Sequence, residues 1–313
     1  MDTLNSKVLM FGEYSLMYNS MALTIPYDRF SGKFTFCKDG LTDPSIQSSN
    51  LSLTNFCHHI LENHMDENFA LNVKKFKKEL EDGLFFESNI PQGFGLGSSG
   101  AIVAAIFLRY LDKAHEFKSE LKNLTKEKIS VLKKTLSQME SYFHGSSSGI
   151  DPLSILLNQP LLFKNTHDVA PVKIPAFNPE GKNVVFLLNT GLSRSTSGLV
   201  NRFKTSCEDQ GFRERMDREL VQFTNGSIQS FLDNKAGELY TNLDNLVQFQ
   251  LKEMHYLIPD QFKDAVKGGL NNGDYFLKIC GSGGGGFMLG FTKDWEATEK
   301  ALKGLDVEVI YKF

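Results

Sequence analysis

Cysteine is scarce and scattered: Cys37, Cys57, Cys207 and Cys280 are the only four in 313 residues, and no two form a CxxC pair. That spacing excludes a zinc ribbon and a disulfide framework, and it fits a reducing, cytoplasmic setting. An excess of positive charge is also missing. The 34 Lys+Arg stand against 37 Asp+Glu, a formal net charge of −3, so the overall field attracts neither nucleic acid nor an anionic membrane. No stretch approaches the ~20 apolar residues of a membrane helix. The early run Val8-Leu9-Met10-Phe11 stops at Gly12-Glu13, too short for the apolar region of a signal peptide. Internal repeats and low-complexity tracts are absent. Two local clusters read as ordinary surface. His59 and His64 are five apart and lie off a common helical face, so with His58 they are helix-surface histidines rather than a metal site. Lys74, Lys75, Lys77 and Lys78 surround Phe76 and Leu80 at helical spacing, the pattern of a solvated helix face.

What is plentiful is core material. The chain is 41% hydrophobic and contains 26 Phe, and its length exceeds the roughly 250–300 residues at which single cores stop growing. Strands are expected at 7–11, up to Pro26, at 33–37, 84–90, 160–163, 183–188, 275–280, 287–291 and 307–311. Helices are expected at 53–64, 69–81, 101–111 and 126–143, then at about 197–222, 224–235, 236–254 and 259–270. The segment 150–158 is short and apolar. Strands first and helices later indicate an α+β protein rather than alternating βαβ units. A domain boundary near 182/183 follows from Gly181 and the strand after it, and the last strand is free to return to the first domain.

Eleven of the 26 glycines fall in three stretches, 93–100, 145–149 and 281–286. The first, Gly93-Phe-Gly-Leu-Gly-Ser-Ser-Gly100, lies between a strand and a helix, where unpaired amides and the positive end of the helix dipole receive phosphate. A nucleotide P-loop is excluded, because Ala101 stands where its lysine would follow Gly100. A dinucleotide loop is disfavoured: Gly95, Gly97 and Gly100 match G-x-G-x-x-G, but mid-chain and behind Pro91-Gln92. A tight turn that simply packs a helix remains the alternative.

Together with Pro91, this loop resembles the phosphate loop of the GHMP kinase superfamily, which includes galactokinase, homoserine kinase, mevalonate kinase and phosphomevalonate kinase. Lys7-Val-Leu-Met-Phe-Gly-Glu13-Tyr14 is similar to that family's N-terminal motif, and Cys280-Gly-Ser-Gly-Gly-Gly-Gly286 to its C-terminal glycine motif. The segment from Glu140 through His144-Gly145 to Ser148-Gly149-Ile150-Asp151 is most similar to mevalonate kinases. Asn189-Thr190-Gly191-Leu192-Ser193-Arg194-Ser195-Thr196 resembles their D-T-G-x-x-R-S-T segment. On the residues alone, Glu140 reads equally as a solvated helix residue, Asp151 as the cap of an apolar segment, and 189–196 as a strand-to-helix turn.

The resemblance implies a two-domain fold. Residues 1–182 would form an N-terminal domain like domain 2 of ribosomal protein S5, binding ATP and Mg²⁺, and 183–313 a ferredoxin-like α/β sandwich. It implies an ATP-dependent kinase phosphorylating the 5-hydroxyl of mevalonate in isoprenoid biosynthesis, with phosphomevalonate kinase, another small-molecule kinase, or a non-catalytic ligand sensor of the same fold as alternatives. Gly93, Gly95, Leu96, Gly97, Ser98, Ser99 and Gly100 would wrap the ATP phosphates. Ser99 and Glu140 would hold Mg²⁺, and Asp151 with Lys7 would act on the hydroxyl. Glu13, Tyr14, Ser148, Gly149, Thr196, Gly283 and Gly284 would contact a small hydroxy-acid substrate. A homodimer is implied, with no nucleic acid or membrane partner. The chain departs from the pattern where Tyr14 replaces a histidine that often contacts the acyl substrate; Glu-Tyr is more familiar from phosphomevalonate kinases. Ser147 replaces a usual proline.

Overall fold

A computed structural model of the chain describes residues 2–37, 43–63, 69–193 and 196–313. In chain order, β1 (Thr3–Phe11) and β2 (Ala22–Phe36) precede α1 (Pro44–Glu62), α2 (Val73–Glu81), β3 (Leu84–Ser88), α3 (Ser98–Tyr110), α4 (Ala114–Glu120), α5 (Lys126–His144) and α6 (Ile150–Leu157). Short strands β4 (Leu161–Phe163) and β5 (Val169–Pro171) follow, then β6 (Val184–Asn189), α7 (Thr196–Ser206) and α8 (Gln210–Arg215). A π-helical turn over Met216–Leu220 leads into α9 (Val221–Leu232), α10 (Ala236–Glu253) and α11 (Lys263–Asn272). The chain ends with β7 (Tyr275–Ile279), β8 (Phe287–Thr292), α12 (Trp295–Ala301) and β9 (Asp306–Lys312). Among the described residues no helix is long and apolar enough to cross a membrane.

Internal contacts gather into two units, and both are discontinuous: 1–7, 25–91 and 96–159 make the first, and 8–24, 92–95 and 160–313 the second. A single cut at 182/183 therefore does not describe them. The N-terminal strand and the start of the glycine loop are each shared out along the sequence.

In the first unit α3 is the central helix. Its stretch from Ala101 to Tyr110 has no Gly or Pro and is apolar nearly all round, the pattern of a helix enclosed by protein. It packs on α6, itself buried from Pro152 to Leu157, and on the Leu132, Leu136 and Met139 face of α5. At its far end, Arg109 Nε and the Tyr110 hydroxyl both donate to Glu79 Oε2 on α2, each at 2.6 Å. The α2 lysines are exposed, as their spacing implies, with Phe76 and Leu80 turned inward. The segment left open at 150–158 is the helix α6.

The second unit contains a four-stranded antiparallel sheet in the order β7-β8-β6-β9. Taking these strands in sequence, with the long helical run after β6 and α12 before β9, this is the 4-1-3-2 order of a split β-α-β-β-α-β sandwich, the ferredoxin-like architecture. The last strand thus stays in this sheet, beside β6. Val184–Leu188 is buried at every residue, which explains its unbroken apolar run: both faces of the strand are covered.

Two differences from expectation concern how neighbouring segments join or break. The strand ending at Pro26 and the one at 33–37 are a single strand, β2. Pro26 falls between residues 22–24, which pair with β4, and 32–36, which pair with β3, so it leaves both of those ladders intact. The expected helix at 197–222 breaks after Ser206, because Asp209 caps α8 by accepting from Phe212 N at 2.6 Å.

Candidate active site

The glycine loop carries its conformation in its glycines. Gly93, Gly95 and Gly97 all have φ between 78° and 84°, a region costly for any residue with a Cβ. Gly97 is the N-cap of α3 and supplies no side chain, so no side-chain cap occupies the first-turn amides of Ser98 and Ser99. Gly100 serves a different need. A Cβ there would lie 2.8 Å from Pro152 N and 2.9 Å from the Asp151 carbonyl carbon, so its absence lets the first turns of α3 and α6 touch. Leu96 is fully buried, so it contributes a core side chain, and its carbonyl accepts from Lys7 N at 3.3 Å.

That contact brings β1 against the loop. Lys7 is 3% exposed, and its Nζ lies 2.8 Å from Asp151 Oδ1. Asp151 is in the first turn of α6, where the helix dipole favours a carboxylate, and it keeps 32% of its side-chain surface open. The structure thus joins two residues 144 positions apart into one ion pair with an accessible oxygen-bearing face.

Glu140, in the last turns of α5, is buried and belongs to the same cluster. It accepts hydrogen bonds from Ser99 Oγ at 3.1 Å and from Ser147 Oγ. Ser99 Oγ also lies 2.9 Å from His144 Nε2, and Ser147 Oγ accepts from Gly149 N at 2.9 Å. Burial pushes the Glu140 carboxyl up to about 7. The charge of Asp151 adds to the rise, while the hydrogen bonds from Ser147 and Ser99 and the charge of Lys7 oppose it. A carboxylate that is costly to ionise alone, beside a serine hydroxyl, fits a hard divalent cation. Mg²⁺ takes few protein oxygens and fills its remaining positions with water and phosphate oxygens. Gly149 is held against α5, where a Cβ would lie 2.5 Å from Lys133 O, and Ser148 is exposed, its hydroxyl accepting from Ile150 N at 3.4 Å.

In the second unit, Glu13 and Tyr14 are bound to protein. Glu13 is buried and its Oε1 accepts from Lys278 Nζ at 2.5 Å; Lys278 is fully buried and donates also to Ile279 O at 2.7 Å. The Tyr14 hydroxyl donates to Ser282 O at 2.6 Å, and its ring packs on Phe203 with centroids 4.5 Å apart. Gly283 and Gly284 pack on the turn after α10. A Cβ on Gly283 would lie 2.7 Å from Leu257 O, to which Gly284 N donates at 2.5 Å. Gly286 abuts Phe94, and Gly95 faces Gly281, so the C-terminal glycine motif meets the start of the phosphate-type loop. His64, Arg194 and the Thr196 side chain lie outside the described residues. His59 packs against Tyr142 and Phe56, an aromatic surface contact; among the described residues no cluster of three His, Cys, Asp or Glu could hold a metal.

Sequence reasoning missed Ser147, His144 and Lys278. Lys278 had a signal: a lysine inside the otherwise apolar strand Tyr275–Ile279 must find a buried acceptor. Ser147 and His144 sit in the segment that carries Glu140 and Asp151, yet which side chain would turn toward Glu140 depends on how α5 and α6 pack.

Comparison with known proteins agrees with this layout. Residues 59–158 match the family model for the GHMP kinases N terminal domain. Mevalonate kinase of Thermococcus sibiricus is 24% identical over 312 aligned residues, covering 90% of this chain and 86% of the relative. The crystal structure of L. major mevalonate kinase in complex with R-mevalonate shares the fold, with a TM-score of 0.62, 16% identity, and coverage of 99% of this chain and 95% of that one. Phosphomevalonate kinase of Streptococcus pneumoniae, solved with phosphomevalonate and AMPPNP, shares it too, with a TM-score of 0.60, 13% identity, and coverage of 100% and 98%.

Proposed function

From the premise that this chain carries a GHMP kinase N-terminal domain within a GHMP kinase fold, we propose that it transfers the γ-phosphoryl group of ATP to the 5-hydroxyl of mevalonate. The observation that carries the reading is the Lys7–Asp151 pair at the touching first turns of α3 and α6. Phosphoryl transfer needs positioning and charge neutralisation more than covalent chemistry. The first-turn amides of α3 would receive phosphate oxygens. Asp151 would accept the acceptor hydroxyl's proton, and Lys7 would hold that carboxylate in place and balance charge on the reacting oxygens. Ser99 and Glu140 would hold Mg²⁺, which when bound neutralises charge on the phosphates. Ser147 orients Glu140 from its other oxygen. Mevalonate as acceptor is supported by the Glu140-to-Asp151 segment, by the Thermococcus relative and by the shared fold of the mevalonate-bound structure.

Phosphomevalonate is the second reading, and Tyr14 favours it. It occupies the position of a substrate-contacting histidine in mevalonate kinases, and its hydroxyl is bonded to Ser282 O. ADP release coupled to a reporter, measured over mevalonate, phosphomevalonate, galactose and homoserine, decides between the two. The expected result is turnover with mevalonate at a kcat/KM at least tenfold above the other three. Preference for phosphomevalonate would establish the second reading, and ATP binding without release on any acceptor would indicate a ligand sensor.

A further inference from the structure

The second unit contains a pocket of about 550 Å³, formed by α7, the turn between α10 and α11, and Gly284. Its volume lies in the ~300–1,000 Å³ range of small-molecule sites. None of its side chains is used by the proposed phosphoryl transfer. We propose that this pocket binds an organic phosphate, an anionic head carried on an apolar or aromatic body.

The head has its receptors on two separate elements. Arg202, on α7, stacks its guanidinium 4.1 Å from the Tyr256 ring centroid. Stacking of this kind fixes the planar fork and reduces the rotamer freedom lost when it binds a bidentate oxyanion. Lys263 opens α11, and its Nζ is steered by Asp260 Oδ1 at 2.5 Å. The hydrogen bond and charge of Lys263 hold the Asp260 carboxyl below its ordinary range, so that acid remains ionised and offsets one positive charge. Arg202 is the cation left over, with His255 at the same pocket. A strongly acidic pocket would have excluded an anion; this one is net positive in a chain whose formal charge is −3.

The body has its receptors as well. Leu199, Ile258 and Pro259 supply apolar wall beside the Tyr256 ring, and Ile258 is 2% exposed, anchored in the core. The floor is rigid, since Gly284 N donates to Leu257 O at 2.5 Å and ties the glycine motif to the turn that bears Tyr256 and Ile258. Inorganic phosphate would leave this wall uncovered, and a neutral apolar ligand would leave Arg202 without an anion. An aryl or alkyl phosphate satisfies both.

Calorimetric titration of the full chain with phenyl phosphate tests the proposal, with saturating AMPPNP present so that the phosphate loop is already filled. Saturable binding is expected, weakened at least fivefold by Arg202→Gln or Lys263→Gln and abolished by the double variant. Lys204→Gln, exposed on the same helix, should leave it unchanged, and inorganic phosphate should bind at least tenfold more weakly. The absence of binding, its persistence in the double variant, or equal affinity for inorganic phosphate would each overturn the proposal. The titration requires no turnover, so its outcome is independent of which acceptor the kinase site uses.

Discussion

Two lysine–carboxylate pairs, one in each unit, have nearly the same chemistry and opposite surroundings. Lys7–Asp151 leaves a third of the carboxylate side chain open at the first turn of α6, whereas Glu13–Lys278 is sealed, its partners 3% and 0% exposed. An open carboxylate with a fixed cation beside it can exchange a proton with a ligand. A sealed pair can only hold two segments together, here the turn after β1 and strand β7. The comparison teaches that one motif can supply both an open and a sealed ion pair, since Glu13 belongs to the N-terminal motif just as Lys7 does.

Asp151→Asn should break the open pair with the largest effect. Turnover is expected to fall by about 10²–10⁴-fold, the usual worth of a positioned proton acceptor, while calorimetry shows ATP binding nearly unchanged. The sealed pair should respond in stability instead. Lys278→Met leaves Glu13 buried without its cation, which costs about 3–5 kcal/mol in urea unfolding. Glu13→Leu combined with Lys278→Met should recover most of that loss; a double variant as unstable as the single one would mean the pair is not the anchor.

Gly100→Ala sharpens the comparison by moving the open pair without touching its charges. The new methyl would press on the backbone of residues 151 and 152. A displacement of that kind is expected to lower kcat by about 10²-fold, with KM for ATP little changed.

Glu140 gives a smaller, pH-dependent effect. Its carboxyl titrates near 7 in the folded chain, above the 4.5 of an ordinary glutamate. The folded state therefore binds the extra proton between those values, and stability from this group is full below about 4.5 and declines as pH rises through 7. Glu140→Gln should flatten that decline in urea unfolding across the same window. In the wild-type chain the Mg²⁺ requirement of turnover should rise as pH drops below 7, because the cation must displace the proton; the variant should need more Mg²⁺ at every pH. Smallest of all, Tyr14→Phe removes one hydrogen bond to Ser282 O and is expected to cost about 1 kcal/mol of stability, measured by the same unfolding.

Much of the fold was legible from local signals. Positive φ at 93, 95 and 97 needs glycine, and glycine is there. The run at 101–110, apolar except for Arg109, became a largely buried helix, and the all-apolar run at 184–188 a strand buried at every residue. Two further helix starts are marked by aspartate caps. Asp43-Pro44 is a helix start, with Asp43 Oδ1 accepting from Ser45 N at 2.7 Å, and it places the beginning of α1 nine residues before Leu53. Asp294, accepting from Ala297 N at 3.1 Å, likewise announces α12.

The amino-acid sequence by itself determined where the backbone must be glycine, which helix is buried all round, and that Lys7, Ser99, Glu140 and Asp151 stand in kinase-like motifs. Those are consequences of steric freedom, apolar periodicity and residue order, all local in the chain. Only the tertiary structure decided which charges meet and which of them reach solvent. Lys7 finds Asp151 across 144 residues and Lys278 finds Glu13 across 265, and the packing of α3 on α6 leaves the first pair open while the core around β7 closes over the second. Burial and long-range pairing depend on how elements assemble, and no local pattern encodes that.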